Sequence, residues 1–92
     1  MVFLIQNTNI TDEILTENYK LIGQNVKRVR KEKGITQLEL SLAIGHKAVG
    51  TISMAELYIN KKHFNIEHLI KIANVLDVDI SEFFKDIKTK QD

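Results

Sequence analysis

The side chains with the most evident chemistry are basic, and they are concentrated in the middle of the chain. Residues 1–19 carry a net charge of −3, residues 20–62 carry +6 and residues 63–92 carry −2, so the overall charge of +1 conceals an uneven distribution. A basic stretch between acidic ends is typical either of helix faces in water or of a surface that binds a polyanion. Charge alone does not decide between these two interpretations.

Other kinds of chemistry find little support in the residues present. His63 and His68 are five positions apart, which does not place them on one helical face, and no third ligand accompanies them. Residues 77–88 begin like a calcium loop, but Glu82 occupies the position that requires glycine. The sequence has no nucleophilic triad, paired carboxylates or glycine-rich phosphate loop. We therefore expect no metal, no cofactor and no enzymatic activity.

Length and composition indicate one small helical domain. The chain has 92 residues, no cysteine, no proline and four glycines. The absence of cysteine excludes disulfides and thiol chemistry, and the absence of proline favours helices over loops. No apolar run approaches the roughly 18 residues of a membrane span. The sequence therefore predicts a cytoplasmic protein that does not associate with membranes.

Three helix starts are indicated by capping residues. Thr36 is followed three positions later by Glu39, which is the pattern of a capping box. Asp79 is followed in the same way by Glu82, while Asn65 is a good cap without an acidic residue at the matching position. We therefore expect helices to begin directly after these three caps.

The beginning of the first helix has two interpretations. An apolar stripe with helical spacing is formed by Leu15, Tyr19, Ile22, Val26 and Val29. A cap at Thr11 would allow one helix over residues 12–33, ended by a left-handed Gly34. Alternatively, a short helix ends near Thr16 and a second helix begins after Asn18. The glycine within this stretch does not decide between them.

The remaining pattern predicts further helices and an all-α fold. We expect helices over residues 37–44, 48–57, 66–76 and 80–87. The fourth helix is expected to bury Ile66, Leu69, Ile70, Ala73 and Leu76. Residues 1–19 are interpreted as an N-terminal arm, residues 20–87 as the domain and residues 88–92 as a tail.

A helix-turn-helix is indicated by the stretches Gly34-Ile35-Thr36-Gln37, Ala43-Ile44-Gly45 and Thr51-Ile52-Ser53. Over about residues 20–85 the chain resembles the Cro and phage-repressor (XRE-like) family. A small core between the second and third helices would be formed by Leu40, Ile44, Ile52 and Ala55, and Ser41 occupies the place where the family has alanine. The resemblance implies a five-helix, lambda-repressor-like domain with an N-terminal extension. It also implies binding to double-stranded DNA as a homodimer, with the third helix in the major groove.

The resemblance also implies roles for individual residues. Arg30 and Glu56 match a structural pair that joins the first helix to the end of the third. Gln37, at the start of the second helix, would contact the phosphate backbone. The candidate phosphate-binding residues are Gln37, Lys47, Lys27, Arg28, Lys61 and Lys62. The candidate base-reading residues are Val49, Gly50, Thr51, Ser53 and Met54.

The sequence departs from the family pattern in three places. The turn before Ile52 is one residue longer, and the stretch after Glu56 is about two residues longer. The base-reading positions also lack the Gln, Asn and Arg side chains that make paired hydrogen bonds with bases. These departures predict modest specificity or recognition of DNA shape.

Leu38 and Leu42 form an apolar strip on the outside of the second helix, where the family has polar residues. We expect this strip to be covered by residues 2–5 of the same chain or of a partner. Tyr58 and Ile59 are further candidates for a dimer contact. The sequence thus predicts a transcriptional regulator that acts as a repressor. The alternative is an antitoxin-like protein-interaction module with the same fold, in which DNA binding is weakened or lost.

Overall fold

The structure is a computed structural model that describes residues 10–45 and 49–89. Its helices are α1 (Asp12–Glu32), α2 (Gln37–Ala43), α3 (Val49–Leu57) and α4 (Ile66–Leu76), with 3-10 helices at Ile59–Lys61 and Ile80–Phe84. The described residues contain no strand, so the predicted all-α class is confirmed. Lys47 and residues 2–5, for which DNA and dimer contacts were predicted, lie outside the described part.

The first helix is continuous, so the first of the two interpretations is correct. Its N-cap is Thr11, whose hydroxyl accepts a hydrogen bond from the backbone N–H of Ile14 at 3.1 Å. Asp12 and Glu13 lie in the first turn, where negative charge interacts favourably with the helix dipole. α1 ends before Gly34, which has a φ of +71° as predicted. The helix therefore runs from the acidic N-terminal segment directly into the basic part of the chain.

The start of α2 is fixed by the predicted capping box. Thr36 accepts from the N–H of Glu39 at 3.0 Å, and the Glu39 carboxylate accepts from the N–H of Thr36 at 2.9 Å. That backbone hydrogen bond lowers the pKa of Glu39. α2 ends at Ala43, and Gly45 after its C-cap Ile44 has a φ of +78°, a conformation that residues with a Cβ rarely adopt.

Asn65 also caps its helix, but the fourth residue of the box is a histidine. Asn65 accepts from the N–H of His68 at 2.7 Å, and Nδ1 of His68 accepts from the N–H of Asn65 at 3.2 Å. The predicted buried face of α4 is partly wrong, because Ile66 and Ile70 are 61% and 57% exposed. The buried stripe runs instead through positions 69, 72, 73 and 76. Both stripes have helical spacing, and the positions of α2 and the C-terminal segment select between them.

The predicted fifth α-helix is a 3-10 helix, and it ends at Phe84 rather than near residue 87. Asp79 caps it, accepting from the N–H of Ser81 at 2.8 Å. The side-chain amide of Asn25 on α1 donates to the carbonyls of Phe83 and Lys85 at 3.1 and 3.0 Å. These two carbonyls are therefore directed toward α1 instead of along a continuing helix.

The hydrophobic core lies where α1, α2, α3 and α4 meet and is closed by the second 3-10 helix. The predicted core between α2 and α3 is confirmed, since all four of its residues are buried. Ser41 is also buried, as expected for a small residue at a helix crossing. Among the described residues, the buried apolar ones are Val26, Val29, Leu40, Ile44, Ile52, Ala55, Phe64, Leu69, Ile72, Ala73, Leu76 and Phe83. Each large member contributes about 1.5–3 kcal/mol through burial. In the described part of the chain, no helix is long and apolar enough to cross a membrane.

Candidate nucleic-acid interface

The third helix buries one face and leaves the other accessible. Ile52 and Ala55 are 0% and 1% exposed and attach α3 to the core. Thr51, Ser53 and Met54 are half-buried on the accessible side, as is Gly50. Val49 begins the helix, and the placement of its side chain is not described. The Ser53 hydroxyl donates to the carbonyl of Gly50 at 3.2 Å, so its oxygen remains available mainly as an acceptor.

A cleft of about 490 Å³ lies in front of α3. One wall is formed by the accessible side of α3, and the other comes from the segment that leads into α4 and from the first turn of α4. Its lining consists of Gly50, Thr51, Met54, Ala55, Lys62, His63 and His68. The fold thus joins three predicted base-reading residues with Lys62, a predicted phosphate-binding residue. The lining combines apolar Met54 and Ala55 with one cationic residue, Lys62, which suits a ligand that has both a hydrophobic and an anionic part.

The lengthened segment after α3 is anchored to α1 by stacked rings. Tyr19 stacks on His63 with ring centroids 4.0 Å apart, and on Tyr58 at 5.9 Å with an interplanar angle of 12°. Tyr58, Asn60 and Lys61 have φ values of 56°, 54° and 62°, which are unfavourable for residues with a Cβ. Ring stacking helps to hold this strained conformation. Tyr58 is therefore half-buried against its own α1, although it was predicted as a dimer contact.

A buried polar network joins α1 to the end of α3. Nε of Arg30 donates to Oε2 of Glu56 at 2.7 Å, and a second guanidinium nitrogen donates to Oε1 at 3.1 Å. The third guanidinium nitrogen donates to the carbonyl of Ile35 at 2.8 Å. The side chains of Arg30 and Glu56 are 7% and 0% exposed. Both charges are thus compensated inside the protein, so Arg30 contributes little positive charge to the surface.

Gln37 lies at the edge of this network. Its amide nitrogen donates to Oε1 of Glu56 at 2.9 Å, and the residue is half-buried at the first position of α2. The sequence predicted a phosphate contact for this side chain and no contact with Glu56. The hydrogen bond engages one of its two amide hydrogens and leaves the second hydrogen for another acceptor.

The other predicted phosphate-binding residues occupy different surroundings. Arg28 pairs with Glu32 at 3.1 Å on the surface of α1, which offsets part of its charge. Lys27 is half-buried on the same helix, and neither residue lines the cleft. Lys61 and Lys62 are exposed, and Lys62 alone of the described candidates borders the cleft. The predicted basic group is therefore distributed over at least two regions of the surface.

The predicted apolar strip on α2 is solvent-exposed in the monomer. Leu38 and Leu42 are 56% and 66% exposed, and Ile59 is 44% exposed. Large exposed apolar residues that were not predicted are Leu15, Leu57, Ile66 and Ile70. These residues lie on several helices, so the monomer exposes apolar surface beyond the strip on α2.

Two structural features of the site were not predicted from the sequence. The cleft includes His63 and His68, and the sequence gives no indication of a role for them there; the described residues contain no group of three that could hold a metal ion. Asn25 fixes the C-terminal segment against α1. A signal for Asn25 was present, because it lies between Ile22 and Val29 on the apolar stripe, where an unpaired amide would be unfavourable.

Residues 26–83 match the sequence profile of the helix-turn-helix family of the Cro and phage-repressor (XRE-like) type. This range covers more than half of the chain, and its helices are those described above, so the protein belongs to this family. No curated protein matches the chain. Members of the family are DNA-binding regulators, and the accessible side of α3 with Lys62 opposite it is compatible with that role. The protein is therefore a DNA-binding regulator of the XRE type.

Proposed function

We propose that the protein is a sequence-specific transcriptional repressor that places α3 in the major groove of double-stranded DNA. The observation that carries this proposal is the cleft in which Gly50, Thr51 and Met54 of α3 lie opposite Lys62. A groove about 12 Å wide admits a helix, and phosphates border that groove on both sides. A helix in the groove with a lysine at its edge therefore combines contacts to bases and to the backbone.

The chemistry of α3 supports modest base specificity. Met54 offers an apolar contact for the methyl group of thymine, and the Thr51 hydroxyl donates or accepts a hydrogen bond. The Ser53 oxygen serves as an acceptor, because its hydrogen is bonded to Gly50. Val49 and Gly50 complete the proposed reading surface. Since paired hydrogen bonds with bases are lacking, DNA shape contributes to site selection.

The phosphate contacts we propose come from the basic middle of the chain. Lys61 and Lys62 are exposed, Lys62 lines the cleft, and Gln37 lies at the start of α2. Lys27, Arg28 and Lys47 contribute positive charge to the same part of the sequence. Such contacts orient the protein on DNA without distinguishing sequences. Repression follows if the bound protein covers a promoter.

We also propose that the working unit is a homodimer that binds two half-sites about one helical turn apart. The exposed leucines of α2, Leu38 and Leu42, and the exposed Ile59 provide apolar surface for a contact between copies. The same surface supports the alternative function, an antitoxin-like module that binds another protein. The lack of paired hydrogen-bonding groups on α3 also favours that alternative.

Duplex DNA binding across a salt series tests the proposal. The logarithm of the binding constant should fall with the logarithm of salt concentration, with a slope of about −0.9 for each phosphate contact. Lys62→Ala should weaken binding to all sequences and make the slope smaller by about one contact. The matched control is Lys71→Ala on α4, because Lys71 pairs with Glu67 at 3.1 Å and does not line the cleft.

Substitutions on α3 test base reading separately. For two duplexes that differ at a single base pair, Met54→Ala and Thr51→Val should change the ratio of the two affinities by roughly tenfold. The salt slope should stay the same. Unchanged site preference would exclude these residues as readers. Failure of the wild-type protein to bind any duplex at low salt would exclude the DNA-binding role and favour the protein-interaction module.

A further inference from the structure

We infer that Glu56 is a positioning residue for DNA binding, because its buried carboxylate holds the Gln37 amide in the orientation needed to donate to a phosphate. This inference rests on the proposed function and adds a residue that does not itself contact DNA. The juxtaposition that carries it is the 2.9 Å hydrogen bond from Nε2 of Gln37 to Oε1 of Glu56. Glu56 lies in α3, whereas Gln37 begins α2.

The Glu56 carboxylate determines whether the Gln37 amide turns its nitrogen or its oxygen toward it. Arg30 donates to both oxygens of Glu56, at 2.7 and 3.1 Å, and this fork geometry is that of an ionised carboxylate with an arginine. An ionised carboxylate only accepts hydrogen bonds. The Gln37 side chain must therefore present its nitrogen, not its oxygen, to Glu56.

This orientation leaves a defined donor on the other side. The two hydrogens of a primary amide diverge by about 120°, so the second hydrogen points away from Glu56. Gln37 is half-buried, which leaves part of the side chain accessible to an incoming phosphate. An ordered donor loses less conformational freedom on binding than a mobile glutamine does.

The charge balance of the network permits an anion to approach. A carboxylate beside a phosphate would repel it, but Arg30 supplies a compensating positive charge within hydrogen-bond distance. Near Gln37, the charges of Arg30 and Glu56 therefore nearly cancel. Arg30 thus contributes to DNA binding by neutralising Glu56, not by reaching the DNA.

The link to Gln37 is separable from the structural role of the ion pair. Arg30 joins α1 to the side chain of Glu56 without Gln37, and the start of α2 is already fixed by the capping box of Thr36 and Glu39. The Gln37–Glu56 hydrogen bond is not needed for either contact. Its separate consequence is the orientation of the amide.

A double-mutant cycle for DNA binding tests this inference. One axis is Gln37→Ala, and the other replaces the ion pair by Arg30→Met with Glu56→Leu, which leaves no buried charge unpaired. In the wild-type background, Gln37→Ala should lower affinity for a fixed duplex about tenfold, as expected for a charge-assisted hydrogen bond. In the background without the pair, the same substitution should lower affinity less than about twofold. Equal losses in both backgrounds would overturn the inference.

A second measurement uses only the wild-type protein. The NMR signals of the Gln37 amide should show one hydrogen bonded to Glu56 and unaffected by DNA, and one that shifts when duplex is added. The exposed Gln24 of α1 is the matched control, whose amide should show neither behaviour. A Gln37 amide that behaves like that of Gln24 would contradict the inference.

The two proposals fail in different ways. A wild-type protein that binds no duplex at low salt overturns the proposed function, and this inference with it. The protein could instead bind DNA with normal salt dependence while the contribution of Gln37 is the same with and without the Arg30–Glu56 pair. That result would overturn only the inference and leave the proposed function standing. If the pair had only a structural role, replacing it would lower thermal stability but would leave the effect of Gln37→Ala on affinity unchanged.

Discussion

Gly23 of α1 and Ala55 of α3 are in such close contact that no side chain fits between them. A Cβ on Gly23 would lie 2.5 Å from the carbonyl oxygen of Ala55 and 2.7 Å from that of Glu56. Both of these atoms belong to the backbone, so they cannot rotate away. The glycine is therefore retained inside a helix, at a cost of about 1 kcal/mol relative to alanine, because it lets α1 approach α3.

Gly23→Ala should destabilise the protein by about 1–3 kcal/mol, because overlap with backbone atoms outweighs the gain in helix propensity. Chemical denaturation measures this free energy of unfolding directly. The matched control is Gly50→Ala in α3, where an added Cβ meets no described atom within 4 Å. That control should stabilise the protein by up to about 1 kcal/mol. A neutral or stabilising Gly23→Ala would show that α1 and α3 are not packed this closely.

Arg30→Met should lower the free energy of unfolding by about 3–5 kcal/mol, because it leaves the buried carboxylate of Glu56 without its partner. The combined variant Arg30→Met with Glu56→Leu should recover most of this loss, since apolar side chains of similar volume replace the pair. Thermal or urea unfolding of the three proteins distinguishes these cases. If the combined variant is less stable than Arg30→Met, the two side chains contribute more to the free energy of unfolding than the attraction between their charges. That result would contradict this expectation.

Asn25→Ala should destabilise the protein by about 2–3 kcal/mol, because it leaves the carbonyls of Phe83 and Lys85 without their donor. The C-terminal segment should also exchange its amide hydrogens faster, which hydrogen-exchange NMR detects. The comparison variant is Asn18→Ala, since the Asn18 amide donates to the carbonyl of Lys88 at 2.6 Å and accepts from its N–H at 2.8 Å. That pair is exposed, so its loss should change stability by less than about 1 kcal/mol. Equal effects of the two substitutions would argue against a special role for burial at Asn25.

The capping box of α2 should lose stability in acid. The backbone N–H of Thr36 lowers the pKa of Glu39 below its usual value of 4.5, so the folded state favours the ionised form. A lowered pKa stabilises the fold above the pKa of the unfolded chain, and this contribution disappears as the pH falls through the folded pKa. The stability difference between wild type and Glu39→Gln should therefore shrink from pH 7 to pH 3. Urea unfolding at several pH values measures it, and a difference that grows in acid would contradict the assignment.

The helix starts were predictable from the sequence because capping is local. Thr36, Asn65 and Asp79 each accept a backbone N–H two or three residues later, so their roles depend only on nearby residues. The buried face of α4 was not predictable in the same way. Ile66 and Ile70 fit one apolar stripe and Ile72 another, and only the neighbouring elements determine which of them is buried.

The candidate site shows the same division. The helix-turn-helix pattern, the basic middle of the chain and the Arg30–Glu56 match were all visible in the sequence. The hydrogen bond between Gln37 and Glu56 was not, because these residues lie 19 positions apart and meet only when α2 packs on α3. The cleft is likewise a product of packing, since His63 reaches it through a segment held by Tyr19 of α1.

By itself, the sequence determined the helical class, the caps, the left-handed Gly34 after α1, and the distribution of charge. These features depend on backbone preferences and on residues a few positions apart, so they are encoded locally. The tertiary structure decided that the fifth element is a 3-10 helix, that Asn25 anchors the C-terminal segment, and that Gln37 faces Glu56. Those outcomes depend on which distant groups satisfy buried donors and acceptors, and only the packed chain brings such groups together.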